Sequence, residues 1–193
     1  MFDRRIEAKE NALHSTAVPV YAAREADFRK VYNAVMPLLF KVSYRIVNDE
    51  EAAEDLAHDS LIKMHEKEAV FPSLDDAKYW LIRVVKNASL NYAKRKTRER
   101  KAYERVLKED RRKIDSGETE LLKTETLKQT REALNKLPVN LKTVLILKEY
   151  AELNYKEIGR VLGITEGNVK VRVFRAREQL AKLIGEDDVY LPR

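Results

Sequence analysis

Residues 155–180 read YKEIGRVLGITEGNVKVRVFRAREQL, and their spacing predicts two helices meeting at a sharp turn. Ile158, Leu162, Ile164, Val169 and Val173 recur at intervals that place them between the two helices as a miniature core. Gly159 lets the second helix come close, and Gly163 supplies the positive φ that ends the first. Thr165 is then the expected N-cap of the second helix. The outer face of that helix carries Asn168, Lys170, Arg172 and Arg175, with Glu166 at its start. Side chains of these types hydrogen-bond to base edges and phosphates when such a helix enters a DNA groove. A helical hairpin with a solvated basic face has the same periodicity, but nothing in it requires glycine, cap, inner apolar set and outer basic set to coincide.

The rest of the chain is read in the same period. Only five glycines and five prolines interrupt 193 residues, and the stretches between them repeat apolar residues at helical spacing, so the fold class is all-α. Two small helical domains joined by a charged linker are expected, the C-terminal one holding the helix-turn-helix. A helix pair is expected over 26–48, broken at Pro37, with Phe28, Val31, Tyr32 and Val35 on one stripe. Asn48 and Asp49 read as a stop and a new N-cap, followed by a helix whose core face is Ala53, Leu56, Ala57, Leu61 and Met64. A loop over 69–74 leads into a helix from about Asp76 with Trp80, Leu81, Val84, Val85, Ala88 and Leu90 inward. From Lys94 to Gly117 the charge density is high and no apolar face persists, which reads as a linker, at most partly helical. A helix over 119–137, a break at Pro138, a helix to Tyr150 and two short helices complete the chain. The expected divisions are an N-terminal extension 1–23, a helical domain 24–97, a basic linker 98–118, a second helical domain 119–185 and a tail 186–193.

Composition narrows the function classes. There are no cysteines, so a disulfide scaffold, a thiolate metal site and a cysteine nucleophile are excluded. No apolar signal region follows the early charges and no run reaches membrane-spanning length, from which a soluble, cytoplasmic protein without membrane insertion is expected. His14, His58, His65 and the scattered carboxylates have no metal-ligand spacing, and neither a glycine-rich phosphate loop nor a nucleophile-base pair is evident. No cofactor, metal or catalytic residue is therefore expected.

The net charge of +6 matters less than its distribution. Residues 76–113 hold fourteen Lys or Arg against five Asp or Glu, whereas residues 49–59 hold six acids and no Lys or Arg. One segment suits polyanions and its neighbour suits a basic partner. Asp55, His58, Asp59, Ile62 and Lys63 fall on a helical face other than the core stripe. From the residues alone, acids there serve either a partner or the helix macrodipole, and a lone histidine is commonly plain surface.

A family resemblance becomes specific at this point. Leu137-Pro138, Thr143-Val144, Tyr155-Lys156-Glu157-Ile158, Gly167-Asn168-Val169-Lys170 and Phe174-Arg175-Ala176-Arg177 resemble the C-terminal domain of extracytoplasmic-function sigma factors of the sigma-70 family. The resemblance implies that Lys170, Val171, Arg172, Phe174 and Arg175 read the upstream (-35) promoter element as duplex. Glycine stands at 159 where alanine is usual, and asparagine at 168 where threonine is usual. Residues 55–63, DLAHDSLIK, are similar to the family segment that docks on the clamp helices of the polymerase β' subunit, with His58 and Leu61 replacing the usual glutamine and phenylalanine. Residues 79–96 resemble the segment that captures the downstream (-10) element as a single strand. There Asn87 would hold a base, and Arg83, Lys86, Lys94 and Arg95 would follow the backbone, a combination of base contacts and basic groove that favours unpaired DNA. Trp80 suits core packing first and base stacking second. The resemblance implies core RNA polymerase and promoter DNA as partners, with an anti-sigma factor as a further one.

Two rivals remain at this stage. A helix-turn-helix regulator would use residues 26–96 as a dimerisation or sensor module, and a nucleic-acid enzyme would need chemistry that the residues do not display.

Overall fold

The computed structural model describes residues 18–109, 130 and 132–184. The N-terminal half contains β1 (Val20–Tyr21), α1 (Glu25–Val47), α2 (Glu50–Glu66), β2 (Val70–Phe71) and α3 (Leu74–Glu109). The C-terminal half contains α4 (Val139–Leu145), which runs into a π-turn at Ile146–Tyr150, then α5 (Tyr155–Leu162) and α6 (Glu166–Ile184). Of the helix expected over 119–137, residues 130 and 132–136 are described and helical. Leu137 is a buried bend after it, while 119–129 and 131, the linker stretch 110–118 and the tail 186–193 lie outside the described residues, as do 1–17.

α1 is one helix, not the expected pair, and Pro37 lies inside it on the exposed side. Its spine of Val31, Val35, Leu39, Val42 and Ile46 is buried from end to end. Burying each such side chain is worth about 1.5–3 kcal/mol, which outweighs the roughly 3 kcal/mol that an interior proline costs. Asn48 ends the helix at φ 56, and Asp49 caps α2 by accepting from the Ala52 N–H at 3.2 Å. Both roles were legible in the sequence.

α3 packs on α1 and α2 through Ala77, Leu81, Ile82, Val85 and Ser89. Ser89 donates to the Val85 carbonyl and so accepts from Ser43 of α1 at 2.8 Å, a buried hydroxyl pair where the two helices cross. The helix continues past residue 97 to Glu109, into the segment read as linker. Without Gly or Pro, and rich in Lys, Arg and Glu, that stretch is held by propensity and by pairs such as Arg95 with Glu99 at 3.6 Å.

The antiparallel pair Val20↔Phe71 and Tyr21↔Val70 was not foreseen, since two-residue strands leave no periodicity. It seats Val20, Ala22 and Phe71 in the core and draws the chain ahead of α1 onto the helices. The Ala22 carbonyl accepts from His65 Nδ1 at 2.8 Å, and the Ala22 N–H donates to the Ala69 carbonyl.

Candidate nucleic-acid and polymerase interface

The turn between α5 and α6 has the local geometry that the sequence demands. Asn154 caps α5, and Glu157 returns a bond to the Asn154 N–H, completing a capping box. Gly163 ends the helix at φ 68. A Cβ on Gly159 would lie 2.7 Å from the Ile164 carbonyl oxygen, so glycine is what permits the close turn. The alanine usual at that place in the resembling family does not fit this backbone without a shift. The Thr165 hydroxyl accepts from the Asn168 N–H at 3.3 Å and starts α6. Ile158, Val169 and Val173 are buried between the helices, with Leu162 and Ile164 partly so.

The opposite face of α6 is open. Glu166, Asn168, Lys170, Val171, Phe174 and Arg175 are exposed and Arg172 is half-buried. Phe174 is 70% exposed and Val171 48%, unusual for large apolar side chains on a helix with a buried side of its own. Such groups fit thymine methyls beside polar contacts to base edges. Lys170 lies 2.8 Å from Glu166, whose carboxylate holds the ammonium above its usual range. Exposed i,i+4 pairs are screened by solvent and weak, so this one leaves the ammonium available to another anion. Arg177 bonds Glu149 of the π-turn at 2.7 Å and fastens α6 to the segment before it.

On α2, Asp55, Asp59, Ile62 and Lys63 are exposed together, and Ile62 is 51% exposed. His58 is different: its Nε2 lies 3.1 Å from the Tyr32 hydroxyl and its ring stacks on that tyrosine, in the seam with α1. Leu61 is buried. An open groove of about 540 Å³ between α2 and α3 is lined by Asp49, Asp55, Asp59, Asn91, Tyr92 and Arg95 among others. At its end Asp49 accepts from Lys96 Nζ at 2.7 Å, and this bond, with those from Ala52 and Tyr92, keeps its carboxyl below the usual value. The cap of α2 is thereby tied to the basic end of α3, a link between distant residues that no local pattern signals.

Of the α3 residues proposed for single-stranded DNA, Arg83, Asn87, Lys94 and Arg95 are exposed. Lys86 is half-buried, and burial, with the charge of Arg83, lowers its ammonium from the usual value. Trp80 is half-buried and packs on Phe71 at 5.7 Å between centroids. Arg83 is engaged with the other half of the molecule, donating from Nε to the Val161 carbonyl at 3.1 Å and from Nη2 to the Arg160 carbonyl. Beside it, the Tyr79 hydroxyl donates to Glu157 Oε1 at 2.7 Å, and Arg160 pairs with Asp76 at 4.0 Å. Tyr79, Glu157, Arg160 and Asp76 were absent from the sequence-based set. Tyr79 and Arg83, one helical turn apart, were the available signal.

A predominantly helical protein with a capped helix-turn-helix, an open polar and aromatic face on its second helix and a long basic helix elsewhere belongs among the DNA-binding helical proteins. Comparison with known families narrows the class. Residues 31–99 match "Sigma-70 region 2" and residues 127–180 match "Sigma-70, region 4". The RNA polymerase sigma-H factor of Pseudomonas aeruginosa is 31% identical over 150 residues, covering 72% of this chain and 77% of that protein. The ECF RNA polymerase sigma-E factor of Haemophilus influenzae is 30% identical over 139 residues, covering 67% and 73%. The sigma factor RpoE of Bartonella quintana, solved with the anti-sigma factor NepR, superposes at a TM-score of 0.56 with 25% identity, over 84% of this chain and 99% of that one. CnrH, solved with the cytosolic domain of CnrY, shares the fold at a TM-score of 0.59 and 20% identity, over 86% and 94%. The chain belongs to the sigma-70 family, in its extracytoplasmic-function group. It is a sigma factor, which associates with core RNA polymerase and directs promoter-specific transcription initiation. Among the described residues, no helix is long and apolar enough to cross a membrane.

Proposed function

We propose that the work of initiation is divided among three surfaces. α2 docks on the clamp helices of the polymerase β' subunit through Asp55, Asp59, Ile62 and Lys63, with His58 at the border of that face. α6 reads the upstream element as duplex through Glu166, Asn168, Lys170, Val171, Arg172, Phe174 and Arg175. α3 holds the melted downstream strand with Asn87 and Trp80 at bases and Arg83, Lys86, Lys94 and Arg95 on phosphates. The observation that carries this division is the joint exposure of an apolar-acidic face on α2 and an apolar-basic face on α6, each backed by a buried core side.

On this reading residues 24–97 form the docking and strand-holding unit, 119–185 the duplex-reading unit, and 98–118 a basic connection that begins as the continuation of α3. Residues 1–23 extend the first unit and 186–193 form a tail. The protein acts on polymerase in the cytoplasm and performs no catalysis of its own. The two solved structures above contain sigma factors bound to anti-sigma partners. A protein of that kind is a further partner for this chain.

Charge reversal at Asp55 and Asp59 together is expected to abolish binding to core polymerase in a gel-shift or fluorescence assay, while duplex promoter affinity of the full chain is retained. Unchanged polymerase binding would remove α2 from the docking surface. Duplex affinity should fall with salt at a log-log slope of roughly 0.9 per neutralised phosphate.

A further inference from the structure

We propose that β1 is a positioning element for the downstream strand: it fixes the loop between α2 and α3, and through Phe71 it holds the Trp80 ring where bases meet it. β1 lies ahead of residues 31–99, the stretch that matches sigma-70 region 2, so this support comes from outside the matched region. Local preference does not fix the loop. Glu68 takes φ 48, a left-handed conformation that costs a non-glycine residue energy and persists where neighbours impose it. Helix ends set its two borders, the Glu68 N–H donating to the His65 carbonyl at 2.8 Å and the Ser73 hydroxyl accepting from the Asp76 N–H at 3.1 Å. Between them, Val70 and Phe71 are paired with Tyr21 and Val20 of β1.

β1 is in turn locked to the helices. Val20 and Ala22 are buried, the Tyr21 N–H donates to Asp27 of α1 at 3.0 Å, and the Arg24 N–H turns back to the Tyr21 carbonyl at 2.9 Å. His65, in the last turn of α2, donates from Nδ1 to the Ala22 carbonyl at 2.8 Å while its ring meets Phe28 edge-on at 5.3 Å between centroids. The position of α1 is thereby carried through β1 to the loop. Alternation along the strand leaves Val70 exposed and turns Phe71 inward, onto Trp80. Phe71, Trp80 and Arg83 line one cavity of about 280 Å³. An aromatic wall beside a guanidinium suits a base and its phosphate, and moving Phe71 moves that wall.

The positioning stands on these contacts, and its consequence for DNA rests on the strand-holding reading of α3. Trp80 is the single tryptophan of the chain, so its emission reports on the loop in the full-length protein. Val20→Gly removes the buried side chain of β1, and His65→Phe keeps a ring against Phe28 but removes the donor to Ala22. His65→Asn puts an amide donor in the place of Nδ1. In the first two proteins the Trp80 emission should shift and acrylamide should quench it more strongly, with helicity retained by circular dichroism. His65→Asn should behave as the parent does. Unchanged emission would overturn the positioning, and His65→Phe alone carries the test if Val20→Gly does not fold. Assembled on core polymerase, both variants should bind an AT-rich single strand of about twelve nucleotides about threefold to tenfold more weakly, the span of one hydrogen bond's net contribution. Duplex affinity, supplied by α6, should not change. Equal strand affinity despite shifted emission, or an equal loss of duplex affinity, would overturn the inference. If Lys94→Ala with Arg95→Ala also leaves strand affinity intact, the strand-holding reading of α3 fails instead, and the Trp80 emission still decides the positioning.

Discussion

The positions most closely determined by their neighbours are at the helix-turn-helix. Gly159 is held by a backbone carbonyl, since a methyl there would meet the Ile164 oxygen at 2.7 Å and neither party can rotate away. Gly159→Ala should therefore destabilise the protein by about 1–3 kcal/mol, the usual range for overpacking, read as a drop in thermal midpoint. A variant as stable as the parent would mean that the turn yields more easily than its geometry implies. Roles of this kind were legible because they are local: Gly163, Thr165, Asn48 and Asp49 each act on residues within four positions. His58 was legible only in part. Its spacing puts it beside Asp55 and Asp59, but whether its ring meets a partner or Tyr32 depends on how α1 crosses α2.

At the scale of elements, helical period located α1, α2, α5 and α6, and failed wherever packing and propensity disagreed with punctuation. Pro37 reads as a break, yet the buried stripe from Val31 to Ile46 carries the helix through it. Pro37→Ala should restore a hydrogen bond from residue 37 to the Asn33 carbonyl and stabilise the protein by about 2 kcal/mol, after allowance for the looser unfolded chain. Denaturant titration checks this, and a loss of stability would show that the proline sets a bend the core requires. The charged end of α3 failed in the opposite sense, because a helix without an apolar face gives no amphipathic signal although its residues favour helix. A helix of 36 residues spans about 54 Å, so α3 leads from the core of the N-terminal half well out along the basic segment.

Across the whole molecule, helical spacing placed the exposed acidic face of α2 and the exposed face of α6 but not how the halves meet, because Tyr79 and Glu157 are separated by 78 positions. Their titration gives this contact between the halves a pH window. Burial pushes the Glu157 carboxyl up, but the Tyr79 hydroxyl, the Asn154 N–H, Lys78 and Arg160 together bring it below its usual 4.5. A depressed carboxyl contributes stability above its unfolded value and loses it as pH falls through the folded one. Tyr79 is raised from its usual 10.0 by burial and then by Glu157 and Asp75, with Arg160 opposing. Its contribution is full below the unfolded value and is lost as pH rises above it. The thermal midpoint should therefore hold from about pH 5 to pH 9 and fall at both extremes, and the fall should be smaller in a Tyr79→Phe, Glu157→Gln protein. An equal fall in both proteins would detach the pH dependence from this pair.

Initiation itself is the most direct test of how the surfaces act together. Core polymerase supplied with this chain as its only sigma factor, on a library of promoter fragments, is expected to yield discrete run-off transcripts from templates sharing paired upstream and downstream elements. Lys170→Ala, Arg172→Ala and Arg175→Ala in combination should erase the dependence on the upstream element. Transcripts without promoter preference, or none above core polymerase alone, would contradict the two-part grip of α6 and α3 on the promoter.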